Sequence, residues 1–336
     1  MIAESARGTA GLARHMTPAA AGLHRRRDVV SVGISDDEIR RRCAGGTWRR
    51  VRRGAYAESA VVAELDAVAR HRLKVAALLP EMAAGAVVSH QSAAVVLGAP
   101  MVPALLDRVH VTRDRRYGGR IKAELQVHCA PVELVAEVHG LVVTSPARTV
   151  VDLARTLAFE PAVVVGDALS RDFGISAADL AHELEAARGR RGVHAARRVI
   201  GFLDAGSRGV SHSRARVLLR HLGFPPAAAG GVVCGHDGRV LGSADIHLGR
   251  TGVLLTLADP ADRAAPAADR TVGAPCDATL RRYGFHLVRT TWRELSAGTV
   301  AARLHTAVAR TREDPARGFV RPTPLPPPKS LFLRAL

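Results

Sequence analysis

Ten arginines and four acids lie between Arg25 and Arg53, within the run R-R-R-D-V-V-S-V-G-I-S-D-D-E-I-R-R-R-C-A-G-G-T-W-R-R-V-R-R-G-A-Y. The chemistry open to such a surplus of six charges is recognition of phosphate, because a guanidinium stays charged and offers a planar fork of donors to phosphate oxygens. Arg40, Arg41, Arg42, Arg49, Arg50, Arg52 and Arg53 are the candidate DNA-binding residues. The alternative is a solvated basic face on an ordinary helical hairpin. The four cysteines, Cys43, Cys129, Cys234 and Cys276, are widely separated and form no C-x-x-C pair. Reduced, buried thiols are therefore expected, with neither a disulfide framework nor a thiolate metal site. His236, His247 and His286 lie near two of these cysteines, but their spacing matches no zinc pattern. No cofactor is expected.

The elements that must position the arginines follow from capping and period. Ser35 and Glu38 have capping-box spacing, which predicts a helix starting near Asp36. Ile39 and Cys43 fall one turn apart on it, Arg40, Arg41 and Arg42 spread over the rest, and Gly45-Gly46 ends it. Gly33 supplies a tight turn after the segment Arg26 to Val32. Helix, short turn and helix is the arrangement in which a second helix enters the major groove. Trp48 to Tyr56, with arginines among Trp48, Val51 and Tyr56, suits a short β-wing along phosphates.

The run G-I-S-D-D-E-I-R-R-R…G-G-T-W-R-R-V-R-R-G-A-Y-A resembles the N-terminal winged-helix domain of AbiEi-like antitoxins from type IV toxin–antitoxin systems. S-H-Q-S-A-A-V-V-L-G-A-P at Ser89 to Pro100, V-H-V-T-R at Val109 to Arg113 and G-L-V-V-T-S-P-A-R-T-V-V-D-L-A at Gly140 to Ala154 resemble the region that follows it. The resemblance implies promoter binding with negative autoregulation, and neutralisation of a nucleotidyltransferase-like toxin.

At 336 residues the chain has room for two or three domains, and a hydrophobic fraction of 47% supports real cores. The net charge of +17 favours a polyanionic partner, with double-stranded DNA first and an anionic membrane surface second. No stretch of about 18 apolar residues is free of charge, so no membrane-spanning helix is expected. The start M-I-A-E-S-A-R-G lacks the features of a signal peptide, and the cytoplasm is the expected compartment. Leu65, Val68, Ala69, Leu73, Ala76, Ala77 and Leu79 predict an amphipathic helix over Val61 to Leu79, closed by Pro80. Ser89 to Leu97 reads as a further helix. Arg108 to Thr112, Glu124 to Cys129 and Gly140 to Val143 read as strands around the basic turn D-R-R-Y-G-G-R. Ser145-Pro146 opens a helix, and more helices run from Glu160 to Leu203.

The last third predicts helix, two strands, a further strand, helix, strand and helix over Ser211 to Leu222, Gly231 to Cys234, Val240 to His247, Gly252 to Leu257, Pro275 to Tyr283, Phe285 to Arg289 and Val300 to Arg310. The blocks R-R-Y-G-F-H-L-V-R-T-T-W-R-E-L, S-R-A-R-V-L-L-R-H-L-G-F-P and S-A-D-I-H-L resemble domains related to very-short-patch-repair endonucleases, of restriction-endonuclease-like fold. Such nucleases hold Mg²⁺ between carboxylates. Here His212, Thr256 and Ala258 occupy three of the positions where that family carries acids. Asp245 is kept, and Asp259 lies one residue beyond a matching position. One surviving carboxylate implies an inactive domain. The alternative is a metal-dependent endonuclease using Asp245, as catalytic residue and Mg²⁺ ligand, with Asp259, Glu294 or His212. A third reading is a protein-interaction scaffold whose charge is compositional.

The expected fold class is mixed α/β (α+β): a winged helix-turn-helix at 1–57, a mixed α/β domain at 58–205, a degenerate nuclease-like domain at 206–311 and a proline-rich disordered tail at 312–336 containing R-P-T-P-L-P-P-P-K. The expected function is a non-enzymatic DNA-binding antitoxin and autoregulator, partnered by duplex DNA and a nucleotidyltransferase-like toxin or its target.

Overall fold

Strands and helices succeed one another closely through the basic segment. The computed structural model describes residues 22–78, 82–115, 117–258, 276–313 and 316–336. Contacts divide the chain into two compact units, Met1–Leu153 with Ser330–Leu336, and Ala154–Lys329. The architecture is mixed α/β, with three sheets among the described residues, as the sequence pattern predicts.

The first unit begins with β1 (Leu23–Arg25), α1 (Arg26–Ser31), α2 (Asp36–Ala44), β2 (Trp48–Arg52) and β3 (Ala55–Glu58). These strands form an antiparallel sheet in the order β1–β3–β2. Gly33 turns the chain between the helices at φ +93°, a conformation that is costly for any residue with a Cβ. Ser35 caps α2 by accepting the Glu38 amide at 3.2 Å. The reciprocal half of the expected capping box is not made. Glu38 instead pairs with Arg41 at 2.9 Å and Arg42 at 2.8 Å, cations one turn ahead on the helix. Val29, Ile39 and Trp48 form the small core that fixes both helices to the sheet, with Ile34, Cys43 and Tyr56 against it.

The helix predicted over Val61 to Leu79 is two helices, α3 (Ser59–Glu64) and α4 (Ala67–Leu78). Leu65 between them is extended, and the Asp66 carboxylate accepts the Ala69 amide at 2.7 Å, so a new N-terminus competes successfully with continuation. Leu79 and Pro80 lie outside the described residues. Next come β4 (Ala86–Val88), α5 (His90–Val96), β5 (Val109–Arg113), β6 (Arg120–Ile121), β7 (Leu125–Cys129), β8 (Leu134–Val138), β9 (Leu141–Thr144) and α6 (Pro146–Thr156). The strands form a mixed sheet in the order β8–β9–β4–β5–β7–β6, parallel at β4–β9 and β5–β7. Val87, Val132 and Val135 pack at its centre.

The second unit contains α7 (Phe159–Phe173), α8 (Ala177–Ala186), α9 (Val193–Ile200), α10 (Val210–His221), β10 (Ala227–Gly235), β11 (Val240–Leu248), β12 (Val253–Leu257), α11 (Asp277–Arg282), β13 (His286–Thr290), α12 (Trp292–Ser296), α13 (Ala301–Glu313) and β14 (Gly318–Pro322). Its sheet runs β13–β12–β11–β10–β14, antiparallel except for the parallel pair β12–β13. Leu219, Ile246, Leu248, Leu255, Leu295 and Leu304 fill one face of the sheet against helices. A buried ionic network ties α7 to α10. Asp167 accepts from Arg216 at 2.9 Å, from the Ser213 hydroxyl at 2.7 Å and from the Asp204 amide at 2.7 Å.

The end of the chain departs from the disordered tail expected for 312–336. Gly318–Pro322 pairs antiparallel with β10, and β15 (Leu333–Ala335) pairs with β8 of the first unit's sheet. Proline blocks a central strand but is tolerated at a strand end on a sheet edge, and the first proline of the dense run falls at the end of β14. Lys329 holds the following stretch by an ion pair to Asp172 at 2.7 Å.

Candidate nucleic-acid interface

The seven candidate arginines divide into two groups. Arg40 and Arg41 project from α2 and are largely exposed; Arg49, Arg50 and Arg53 are exposed on β2 and the hairpin after it. Arg40 pairs with Asp37 and Arg41 with Glu38, each three residues away along the helix. Such exposed pairs exchange readily for a phosphate, since water already screens them. Arg42 and Arg52 are committed elsewhere. Arg42 lies over the Trp48 ring, 4.8 Å from its centroid, while pairing with Glu38.

Arg52 owes its position to a bulge. The pairing of β2 with β3 slips between Arg50 and Arg52, which places Arg52 opposite Ala55, on the face that Ala55 buries. Its side chain is 13% exposed and stands 3.8 Å from Glu124. Without the bulge, alternation would have kept it on the side of Arg50. Within the same unit a cleft of about 810 Å³ is lined by Arg53, Arg113, Arg115, Arg120, Lys122 and Tyr117. The basic turn of the sequence thus extends the positive surface beyond the arginines of β2 and its hairpin.

The second unit treats its charged residues differently. Asp245, on β11, accepts the Leu257 amide at 2.8 Å through one oxygen and faces Arg208 at 3.4 Å through the other. Thr256 beside it and exposed Ala258 offer no carboxylate. His212 is buried on α10. Glu294 closes the capping box of α12, accepting the Thr291 amide at 2.9 Å. Asp259 lies outside the described residues. The residues present do not fit Mg²⁺, which requires several oxygen ligands not already spent on the fold.

Three histidines that the sequence spacing does not single out are brought together in the first unit. His90 at the start of α5, His110 on β5 and His128 on β7 form the one group of three or more potential metal ligands among the described residues, with their ligand atoms all within 4.8 Å of one another. Nearby, His71 on α4 is buried between the Leu106 carbonyl at 3.3 Å and the Ser92 hydroxyl at 2.8 Å, and burial pushes its pKa down to about 4.

Comparison with known families adds one decisive span. Residues 99–204 match the AbiEi antitoxin C-terminal domain. The matched stretch takes in the blocks at Val109 to Arg113 and Gly140 to Ala154, and it reaches through α7, α8 and α9. It does not include the arginines between Arg25 and Arg53. Two Mycobacterium tuberculosis proteins described as uncharacterized, from strains H37Rv and CDC 1551, are 30% identical to this chain over 116 residues. That alignment covers 34% of this chain and 43% of each relative, so the chain spans less than half the length of the relatives it matches. No helix among the described residues is long and apolar enough to cross a membrane.

Sequence reasoning missed the histidine cluster because its members are 20 and 18 residues apart, on a helix and two strands. The available signal was V-H-V-T and Q-V-H-C, a histidine inside each of two β-branched runs. In parallel pairing Val111 lies opposite Val127, which puts His110 and His128 on one face of adjacent strands.

Proposed function

We propose that the protein is a DNA-binding antitoxin-type autoregulator, in which the segment from β1 to β3 is a winged helix-turn-helix and α2 is its recognition helix. The order strand, helix, helix, strand, strand, with exposed arginines on the second helix and the hairpin, is the observation that carries this reading. α2 would enter the major groove with Arg40 and Arg41 toward base edges, and Arg49, Arg50 and Arg53 would lie along phosphates. The match over residues 99–204 supports the antitoxin role, and the partner in this proposal is a nucleotidyltransferase-like toxin.

The second unit, in this reading, keeps a restriction-endonuclease-like fold without its chemistry. The helix, three antiparallel strands and a parallel fourth strand support the fold. The engagement of Asp245 by Leu257 and Arg208 supports the loss of metal-dependent cleavage.

Competition between duplexes tests the proposal. The chain should prefer the promoter of its own gene to random duplex at physiological salt. Arg41→Ala should remove about 1–3 kcal/mol of that discrimination if the side chain reads a guanine. Equal affinity for both duplexes would leave only nonspecific binding and reject autoregulation.

A further inference from the structure

The face of the first unit's mixed sheet that is covered by α5 carries an unusual density of imidazole. His90 and His128 stack with ring centroids 3.7 Å apart and an interplanar angle of 13°, and His110 lies 5.3 Å from His128. The Nδ1 of His110 and the Nε2 of His128 are 3.1 Å apart. His90 and His110 are buried, whereas His128 is half-buried and gives the group access to solvent.

The surroundings hold these rings in place. Nδ1 of His90 is 3.0 Å from the Ser89 hydroxyl, which itself accepts from Thr112 at 2.8 Å. The Ser92 hydroxyl accepts the His110 amide at 2.8 Å. The His90 backbone adopts φ +52°, a left-handed conformation that costs a non-glycine residue about 1–3 kcal/mol and persists only where surrounding contacts enforce it. Burial lowers the pKa values of His90 and His110 from the usual imidazole range.

We propose that His90, His110 and His128 form a binding site for one divalent transition-metal ion of the zinc class, held by three imidazole nitrogens with a further position open to water. Imidazole suits Zn²⁺, Co²⁺ and Ni²⁺, while the absence of a carboxylate from the group disfavours Mg²⁺ and Ca²⁺. Zinc–nitrogen bonds of about 2.0–2.1 Å place tetrahedral ligand atoms a little over 3 Å apart, and the three imidazoles already bring their ligand atoms within 4.8 Å of one another. Two stacked rings cannot both aim a lone pair at one point. Metal entry therefore turns the half-buried His128 ring out of its stack on His90. The Ser89 and Thr112 hydroxyls then serve as the outer contacts that orient His90.

The test uses the full chain, purified without a histidine tag, stripped with a chelator and exposed to Zn²⁺ or Co²⁺. One metal per chain should survive gel filtration, and the Co²⁺ form should show the visible absorption of a low-symmetry, nitrogen-ligated site. His128→Gln should lower retained metal at least tenfold, while His194→Gln, on an exposed helix position of the second unit, should leave it unchanged. No retained metal in the unmodified chain, or equal retention by a folded His128→Gln, overturns the proposal. If His128→Gln does not fold, X-ray absorption on the zinc-loaded unmodified chain decides. Three imidazoles in the zinc shell support the site, and fewer than three overturn it.

Discussion

The segment from β1 to β3 and the second unit use the same charged residue types in opposite ways. Arg49, Arg50 and Arg53 stand in solvent, whereas Arg216 is buried against Asp167 and Asp245 is taken up by a backbone amide and Arg208. Local composition hardly distinguishes R-R-V-R-R from S-R-A-R. What decides the role is whether the fold supplies a counter-charge and hydrogen-bond donors or leaves the group for a ligand.

The comparison breaks most visibly if inward-turned charges are removed. Asp167→Ala leaves the buried Arg216 guanidinium with only the Asp204 carboxylate at 3.9 Å, which costs about 3–5 kcal/mol. Urea unfolding should show that loss, and Arg50→Ala should change stability by less than about 0.5 kcal/mol. Similar costs at both positions would erase the distinction.

A smaller effect comes from His71, buried in the first unit and neutral. Its folded pKa of about 4 lies below its value of about 6.5 in the unfolded chain, so the unfolded state binds more protons between these limits. The stability it supports is complete above about pH 6.5 and is lost as pH falls toward 4, to a limit of roughly 3 kcal/mol. Denaturant midpoints at pH 7.5 and 5 should differ less for His71→Gln than for the unmodified chain. An identical drop in both would assign the acid sensitivity to other groups.

Asp245→Ala sharpens the comparison at the second unit's sheet. Loss of its bond to the Leu257 amide should destabilise by about 1–3 kcal/mol, with no nicking of supercoiled DNA in Mg²⁺ or Mn²⁺ before or after the change. Metal-dependent nicking by the unmodified protein that vanishes in the variant would restore the endonuclease alternative.

Much of the fold was legible because capping and period are local. Ser35 caps α2 as its spacing predicts, and the strands from β10 to β13 fall where alternation and turns place them. The failures are non-local. The break at Asp66 depends on one carboxylate choosing an amide, and the strand at Gly318–Pro322 depends on an open edge of β10 far away in sequence. At the candidate interface, the arginine surplus was readable, but a single bulge decided that Arg52 turns inward. The histidines of the mixed sheet were invisible for the same reason, since only the β5–β7 register brings two of them together.

The measurement closest to the central claim is the salt dependence of duplex binding by the full chain. Phosphate contacts by Arg49, Arg50 and Arg53 should each contribute about −0.9 to the slope of log affinity against log salt, giving roughly −3 in total. The double variant Arg49→Ala with Arg50→Ala should flatten that slope by about 2 units, and Arg42→Ala, whose guanidinium is held on Trp48, should flatten it less than either single wing change. Absence of duplex binding at low salt, or a slope unaltered in the double variant, would contradict the account.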